Sequence, residues 1–302
     1  MLSDRHPSRR IFTLQALALT GTAAFVAACG KSATNNKSDT AGTADDGGDT
    51  ADSANDTADT GGDTDATAAG DWATGGTASM SGTYDDPFTS AAADCALTCA
   101  MTLGPCYGET MERQDISEGV DGLPVRLALR IVDDNCAPVA GAVVDIWHAA
   151  PNGLYSGRDT DEMCTNGNAA ALAGRWFRGY GTTDTNGRVD FDTCFPGWYT
   201  SRAIHIHFQV RKTKEYATAQ LFFTQKLINE VFTTEPIYEA RGVPDVPNAS
   251  DKVLADNDPA MYTLDTAQLP DGAMMAFKTI VIRASLAEEL CVAPEADGGG
   301  PR

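Results

Sequence analysis

Between Gly30 and Asp86 the chain carries twelve Asp against two Lys, set mostly among Ala, Thr, Gly, Ser and Asn. A stretch of that composition buries too little apolar surface to offset the entropy of ordering its backbone, and its like charges push it open. It predicts a disordered acidic tether over residues 30–86 and leaves residues 87–302 to build the fold. That remainder is long enough for one domain with a sizeable core, and nothing in it marks a second boundary. The tether also accounts for much of the net charge of −20. No basic cluster is longer than Arg211-Lys212-Thr213-Lys214, which argues against a nucleic-acid partner.

Residues 1–29 read as a twin-arginine-type signal peptide with a lipobox. Ser8-Arg9-Arg10-Ile11-Phe12 supplies paired arginines, Leu14 to Ala28 is a modestly apolar run, and Val26-Ala27-Ala28-Cys29 ends on the cysteine that would take the lipid. The expectation is an exported protein of the cell envelope, lipid-anchored to a bacterial membrane through Cys29 or else periplasmic or extracellular. Seven cysteines then remain: Cys95, Cys99, Cys106, Cys136, Cys164, Cys194 and Cys291. In an oxidising compartment their default is disulfides, and an odd number leaves at least one unpaired within the chain. Cys95-x-x-x-Cys99 is not accompanied by a second ligand pair at zinc spacing, so it does not read as a zinc site.

Beyond Cys106 the pattern is of short strands and turns with almost no helical periodicity, which predicts an all-β domain, a β-sandwich. Leu123 to Val132 and Ala142 to Trp147 form two successive strands around the turn Asn135–Pro138. Thr183–Arg188 is a turn from which Val189–Asp192 alternates, predicting a hairpin. Gln220–Phe223 and Phe277–Ile282 supply further strands. From Ala203 to Val210, Ile204, Ile206, Phe208 and Val210 alternate with Ala203, His205, His207 and Gln209, so one face is apolar and the other polar.

His205 and His207, two apart on a strand, point to the same face and can converge on one ion. The chain has four His, so this pair takes half of them. Zinc and copper sites usually add further His or Cys, whereas oxidised iron prefers anionic oxygen donors such as phenolate. Two tyrosines lie in turn-rich loops beside strands, Tyr155 in Pro151-Asn152-Gly153-Leu154-Tyr155 and Tyr199 in Pro196-Gly197-Trp198-Tyr199. Taken singly, each is an ordinary amphipathic loop residue.

The order of these motifs resembles the intradiol ring-cleaving dioxygenases, the catechol and protocatechuate group, and especially its exported members. The resemblance rests on Gly104-Pro105-Cys106-Tyr107, Arg113-Gln114-Asp115-Ile116, Val144-Asp145-Ile146-Trp147-His148, Gly153-Leu154-Tyr155 and Arg178-Gly179. It continues through Pro196-Gly197-Trp198-Tyr199, Arg202-Ala203-Ile204-His205-Ile206-His207 and Thr218-Ala219-Gln220-Leu221-Phe222-Phe223. It implies a β-sandwich of the intradiol type and a cofactor Fe(3+) held by Tyr155, Tyr199, His205 and His207. Tyr199 would be the ligand that leaves and takes a proton, Arg202 would stabilise negative charge near the ring, and Gln220 would line the pocket. The implied reaction opens a catechol-type aromatic diol with O2 to a cis,cis-muconate-type diacid. Two phenolates offset much of the charge of iron(III) and so lower the cost of burying it. His148 is expected outside the coordination sphere, Trp198 either at the pocket wall or in the core, and Tyr107 and Arg178 are candidate residues of the pocket or its support, with no catalytic role assigned to either.

The sequence departs from the family at Cys106, where many members carry an aromatic residue, and in the loop 158–175, which reads as a small insertion. No N-terminal helical dimerisation region is evident, so the oligomeric state is left open, a homodimer included. Two alternatives stand beside this reading: an exported non-catalytic binding module on the same sandwich, and a different metalloenzyme that uses only the His pair.

Overall fold

The computed structural model describes residues 71–90, 95–212 and 214–294. The signal peptide, the lipobox at Cys29 and residues 30–70 of the expected tether lie outside the described residues. The domain is a sandwich of two four-stranded sheets. In chain order the strands are β1 (Pro124–Asp133), β2 (Val143–Trp147), β3 (Arg178–Thr182), β4 (Arg188–Cys194), β5 (His205–Arg211), β6 (Glu215–Phe222), β7 (Asp265–Gln268) and β8 (Met274–Ile282). One sheet runs β4-β1-β8-β7, and the other runs β3-β2-β5-β6. Among the strands of the described residues, β1 and β8 pair in parallel and the other neighbours pair antiparallel.

The core lies between the sheets. Val125, Leu127, Leu129 and Ile131 of β1 meet Val144, Ile146, Ile206, Phe208 and Val210 of β2 and β5, all fully buried. Burying a side chain of this size is worth roughly 1.5–3 kcal/mol, which is what alternation with period two was recording. The helix α1 (Gln225–Thr234), capped by Thr224 Oγ1 on Leu227 N, closes one end with Leu227, Ile228, Val231 and Phe232. It interrupts an otherwise strand-dominated pattern. No helix among the described residues is long and apolar enough to cross a membrane.

Two expectations need correction. The predicted hairpin is absent, because β3 and β4 belong to different sheets. The turn itself forms, with Gly187 N bonded to Asp184 O and Arg188 N to Asp184 Oδ1. It carries the chain across the sandwich, because β4 finds its ladder partner in β1, from Pro124↔Cys194 to Arg130↔Arg188. The tether, in turn, stops short of residue 86. Residues 71–90 cover the outer side of the β1–β8 sheet: Arg126 lies 4.8 Å over Tyr84, Arg130 lies 4.6 Å over Phe88, and Phe88 meets Phe277 edge-on at 5.7 Å. Trp72 packs against the main core, and Asp86 pairs with Arg188 at 2.9 Å. Averaged over the whole acidic stretch, Trp72 and Tyr84 vanish into its composition, yet large aromatic rings are what anchor a segment to a sheet.

The seven cysteines pair as Cys95–Cys136, Cys99–Cys291 and Cys106–Cys164, with Cys194 free and buried. Cys95 and Cys99 go to separate partners, as befits structural bridges and not a shared ion.

Candidate active site

The site is built on the outer face of the β3-β2-β5-β6 sheet. Because side chains alternate, the strands that send Ile146, Phe208 and Leu221 inward send Trp147, His207 and Gln220 outward, and register sets them side by side: Trp147↔His207 and His207↔Gln220. His205 stands two residues before His207 on the same face. Both imidazoles are buried. The loop after β2 brings in Tyr155, itself buried, and the loop after β4 brings in Tyr199, which stays partly exposed.

The four side chains meet at one point. His205 Nε2 lies 3.3 Å from the Tyr155 hydroxyl, 3.2 Å from the Tyr199 hydroxyl and 3.1 Å from His207 Nε2. His205 Nδ1 lies 2.7 Å from the carbonyl oxygen of Ala203. A carbonyl only accepts, so the ring proton sits on Nδ1 and Nε2 turns its lone pair toward the other three groups. His207 is oriented by stacking, its ring 4.9 Å from that of Trp147 and within 10° of parallel. Its Nδ1 is buried without a hydrogen-bond partner among the described residues.

Burial pushes the Tyr155 phenol well above 10, reinforced by Tyr199; burial also raises Tyr199, although Arg202 pulls the other way. Burial drives both imidazoles well below 6.5, with Arg202 adding to it at His205, and His205 and then Arg202 adding to it at His207. Left to themselves, the four are two neutral phenols and two neutral imidazoles around a single lone pair. A cation among them resolves that crowding and is what turns phenols into phenolates. The spacing fits as well, since two donors each 2.0–2.1 Å from one tetrahedral ion lie about 3.3 Å apart. No group of three or more His, Cys, Asp or Glu side chains placed to hold a metal occurs among the described residues, so a metal here would draw on the tyrosines.

A charged support stands beside the four. Arg202, nearly buried, donates from Nε to Asp251 Oδ2 at 2.9 Å and from Nη2 to Asp251 Oδ1 at 3.3 Å and to Gln220 Oε1. Asp251 also accepts from the amides of Ala203 and Val253 at 2.8 and 2.9 Å. Burial pushes its carboxyl up, but Arg202 and these amides outweigh burial and hold it below the usual carboxylate range. Gln220, fully buried, spends its amide on Arg202 and on the carbonyl of Thr102 at 3.4 Å. Its contacts make it a support for Arg202.

The remaining residues fall as follows. His148 points away from the four: Nε2 bonds Thr193 Oγ1 at 2.7 Å and Nδ1 the carbonyl of Ala149 at 2.9 Å. Tyr107 packs edge-on to Trp147 and donates to Asp145 Oδ2 at 3.2 Å, and Arg211 bonds the same oxygen. Arg178, fully buried, donates to the carbonyls of Cys106 and Ser156. Trp198 packs at the edge of the core, its indole donating to Gly242 O. The Cys106–Cys164 bridge joins the Gly-Pro-Cys-Tyr segment to the loop 158–175, in the cluster that contains Trp147 and Tyr155. The departure at Cys106 and the cysteine in the insertion are thus one feature. Sequence reasoning missed Asp251 and Asp145. An Asp two residues before Val253 reads locally as a turn cap, and nothing nearby points to Arg202 forty-nine residues upstream.

A family model described as Dioxygenase matches residues 104–260, a little over half of the chain. Among curated proteins, the chain is 33% identical over 108 residues to chlorocatechol 1,2-dioxygenase of Pseudomonas sp. (strain P51), covering 30% of this chain and 38% of that protein. It is 29% identical over 146 residues to chlorocatechol 1,2-dioxygenase of Pseudomonas putida, covering 40% and 51%. The match thus spans about half or less of these relatives' length. Among solved structures, the intradiol ring-cleavage dioxygenase from Tetranychus urticae superposes with a TM-score of 0.56 at 26% identity, over 63% of this chain and 95% of that one. With its sandwich, its motif order and the family match in agreement, the chain belongs to the intradiol ring-cleavage dioxygenase family.

Proposed function

We propose that the chain is an iron(III)-dependent intradiol dioxygenase that opens a catechol-type aromatic diol with O2 to a cis,cis-muconate-type diacid. One observation carries this reading: two phenol oxygens and two imidazole nitrogens converge, with His205 Nε2 3.1–3.3 Å from each of the other three. The substrate class is supported by the names of the curated relatives, both chlorocatechol 1,2-dioxygenases. When bound, iron(III) supplies a Lewis acid that draws electron density from the diol's oxygens, so that ring carbon becomes reactive toward dioxygen. Both oxygen atoms enter the product, and no external reductant is consumed.

The chain's own residues divide the remaining work. Tyr155 and the two imidazoles are buried and serve as fixed donors, His205 in the tautomer set by Ala203 O. Tyr199, partly exposed, is the donor with room to move, and its hydroxyl oxygen is where a substrate proton can be received. Arg202 sets a permanent positive charge beside Tyr199, where negative charge develops as the diol loses its protons, and Asp251 and Gln220 fix it there before substrate arrives. The buried imidazoles and the stacked Trp147 exclude water from the far side.

The test is the visible absorption of the iron-loaded protein. Tyrosinate-to-iron(III) charge transfer should colour it, anaerobic catechol should shift the band, and oxygen should bleach the shifted form. Tyr155→Phe and Tyr199→Phe should each alter the resting band. A colourless protein with stoichiometric iron overturns the assignment.

The same proposal places the enzyme outside the cytoplasm, held by lipid at Cys29. Its support is the paired arginines and lipobox, together with three disulfides, which are rare in reducing compartments. Cys29→Ser should move the protein from the detergent-requiring membrane fraction to the soluble one; an unchanged distribution removes the anchor from the proposal.

A further inference from the structure

Arg241 follows the short helix α2 (Pro236–Glu239) and belongs to none of the motifs that carry the family resemblance. Its guanidinium donates from Nη1 to the carbonyl of Asn152 and from Nη2 to the carbonyl of Trp198 at 2.8 Å. It also lies 4.9 Å over the Trp198 ring, whose Nε1 donates to Gly242 O at 2.9 Å. Asn152 is three residues before Tyr155, and Trp198 immediately precedes Tyr199. One side chain therefore bonds both loops that carry the phenols. A planar fork suits this task, because it reaches two carbonyls at once where an ammonium is a single point.

The backbone gives an independent sign that the two loops act as a unit. A Cβ at Gly153, whose φ is 82°, would sit 2.2 Å from the carbonyl oxygen of Trp198, and a Cβ at Gly197 would sit 2.3 Å from that of Pro151. Each loop thus needs a glycine where it touches the other, and a side chain at either position would wedge them apart. This backbone contact brings the carbonyls of Asn152 and Trp198 within reach of one guanidinium, which satisfies both.

We propose that Arg241 is a positioning residue that locks the Tyr155 and Tyr199 loops together, so that Tyr199 moves by rotation of its own side chain while its backbone stays fixed to that of Tyr155. The catalytic consequence rests on the iron-centre reading; the lock itself does not. Tyr199 can then give up its place to substrate and return to the same place after each turnover.

The test is amide hydrogen exchange on the full chain, with and without iron, comparing wild type with Arg241→Ala and Arg241→Gln. Gln offers a single nitrogen on a shorter arm in place of the fork's two, and so cannot span the two carbonyls as the guanidinium does. The lock predicts that peptides covering 150–157 and 195–201 exchange about tenfold faster or more in Arg241→Ala, the factor that losing a charge-assisted hydrogen bond gives. The two peptides should accelerate together, while the β5 and β8 peptides keep wild-type rates; Arg241→Gln should loosen one loop more than the other. In the iron-loaded protein with catechol as probe, kcat should fall by about tenfold or more with KM nearly unchanged, as when an interaction made only in the transition state is lost. Unchanged exchange in both loops overturns the lock, as does uniform loss of protection in both variants, which would make Arg241 a support of the whole domain. A wild-type protein that binds iron without colour overturns the iron reading instead, and the exchange data still decide the lock.

Discussion

Both faces of the β3-β2-β5-β6 sheet are closed to water, but by opposite means. Inward, Val144, Ile146, Ile206, Phe208 and Leu221 are covered by the hydrocarbon of the other sheet. Outward, the same strands carry Asp145, Trp147, His205, His207 and Gln220, all buried, under loops tied down by hydrogen bonds, ion pairs and the Cys106–Cys164 bridge. The inner face is stable because nothing on it needs a partner. The outer face persists largely because its polar groups find partners, and the place where two phenol oxygens and a second imidazole nitrogen crowd around His205 Nε2 is where a cation fits.

Two substitutions one residue apart should separate the two faces. His207→Leu should abolish catechol turnover and the visible colour while leaving the melting temperature of the metal-free protein equal or higher, since an apolar group replaces an unsatisfied polar one. Phe208→Ala, on the other face, should cost about 3–5 kcal/mol of stability, as core truncations do, with the spectrum of the folded fraction unchanged. Chemical denaturation and absorption on both variants check this; a large stability loss in His207→Leu would refute the distinction between the faces.

The next effect concerns the ion pair. Arg202→Met should lower kcat by about 10²–10³-fold, as loss of one preorganised charge does, and should destabilise by about 3–5 kcal/mol because Asp251 is left buried without its partner. Arg202→Met combined with Asp251→Leu should recover most of the stability and none of the rate. Recovery of both would assign the pair a purely structural part.

The smallest effect comes from His148, buried on the side away from the four. Burial lowers its pKa from 6.5 to about 4. Between those values the unfolded chain binds the proton and the folded one does not, so stability is whole above about pH 6.5 and falls as the pH drops toward 4. The gap is worth about 3 kcal/mol. His148→Gln should flatten the pH dependence of stability by that amount over this window, and an unaltered slope would show that the group is not held neutral.

Much of this was legible in the sequence because it is written in periods. Alternation placed His205 and His207 on one face of β5 and Ile206 and Phe208 on the other, and the motif order singled out Tyr155 and Tyr199, which the structure brings against His205. Alternation could not tell that the polar face is buried too, since burial there depends on loops from elsewhere in the chain. Asp251 was illegible for the same reason: its meaning lies in a contact with Arg202, and local pattern holds only the cap. The β3–β4 turn was read correctly as a turn and wrongly as a hairpin, because a turn fixes the reversal of the chain and the partner strand is chosen by distant residues.

The parallel ladder of β1 and β8 sets the order in which this molecule can be assembled. Arg130 and Thr279 face each other across it from 149 residues apart, and Cys99–Cys291 ties the segment before β1 to the segment after β8 over 192. On a growing chain β1 can take β4 early, but its other edge waits, with its backbone groups unpaired, until β8 has been made. Contacts of such sequence separation are slow to form because the long loop must be closed before they contribute. The nascent domain is therefore at its most sticky late in synthesis, when nearly all of its strands exist and the one that seals the sheet does not.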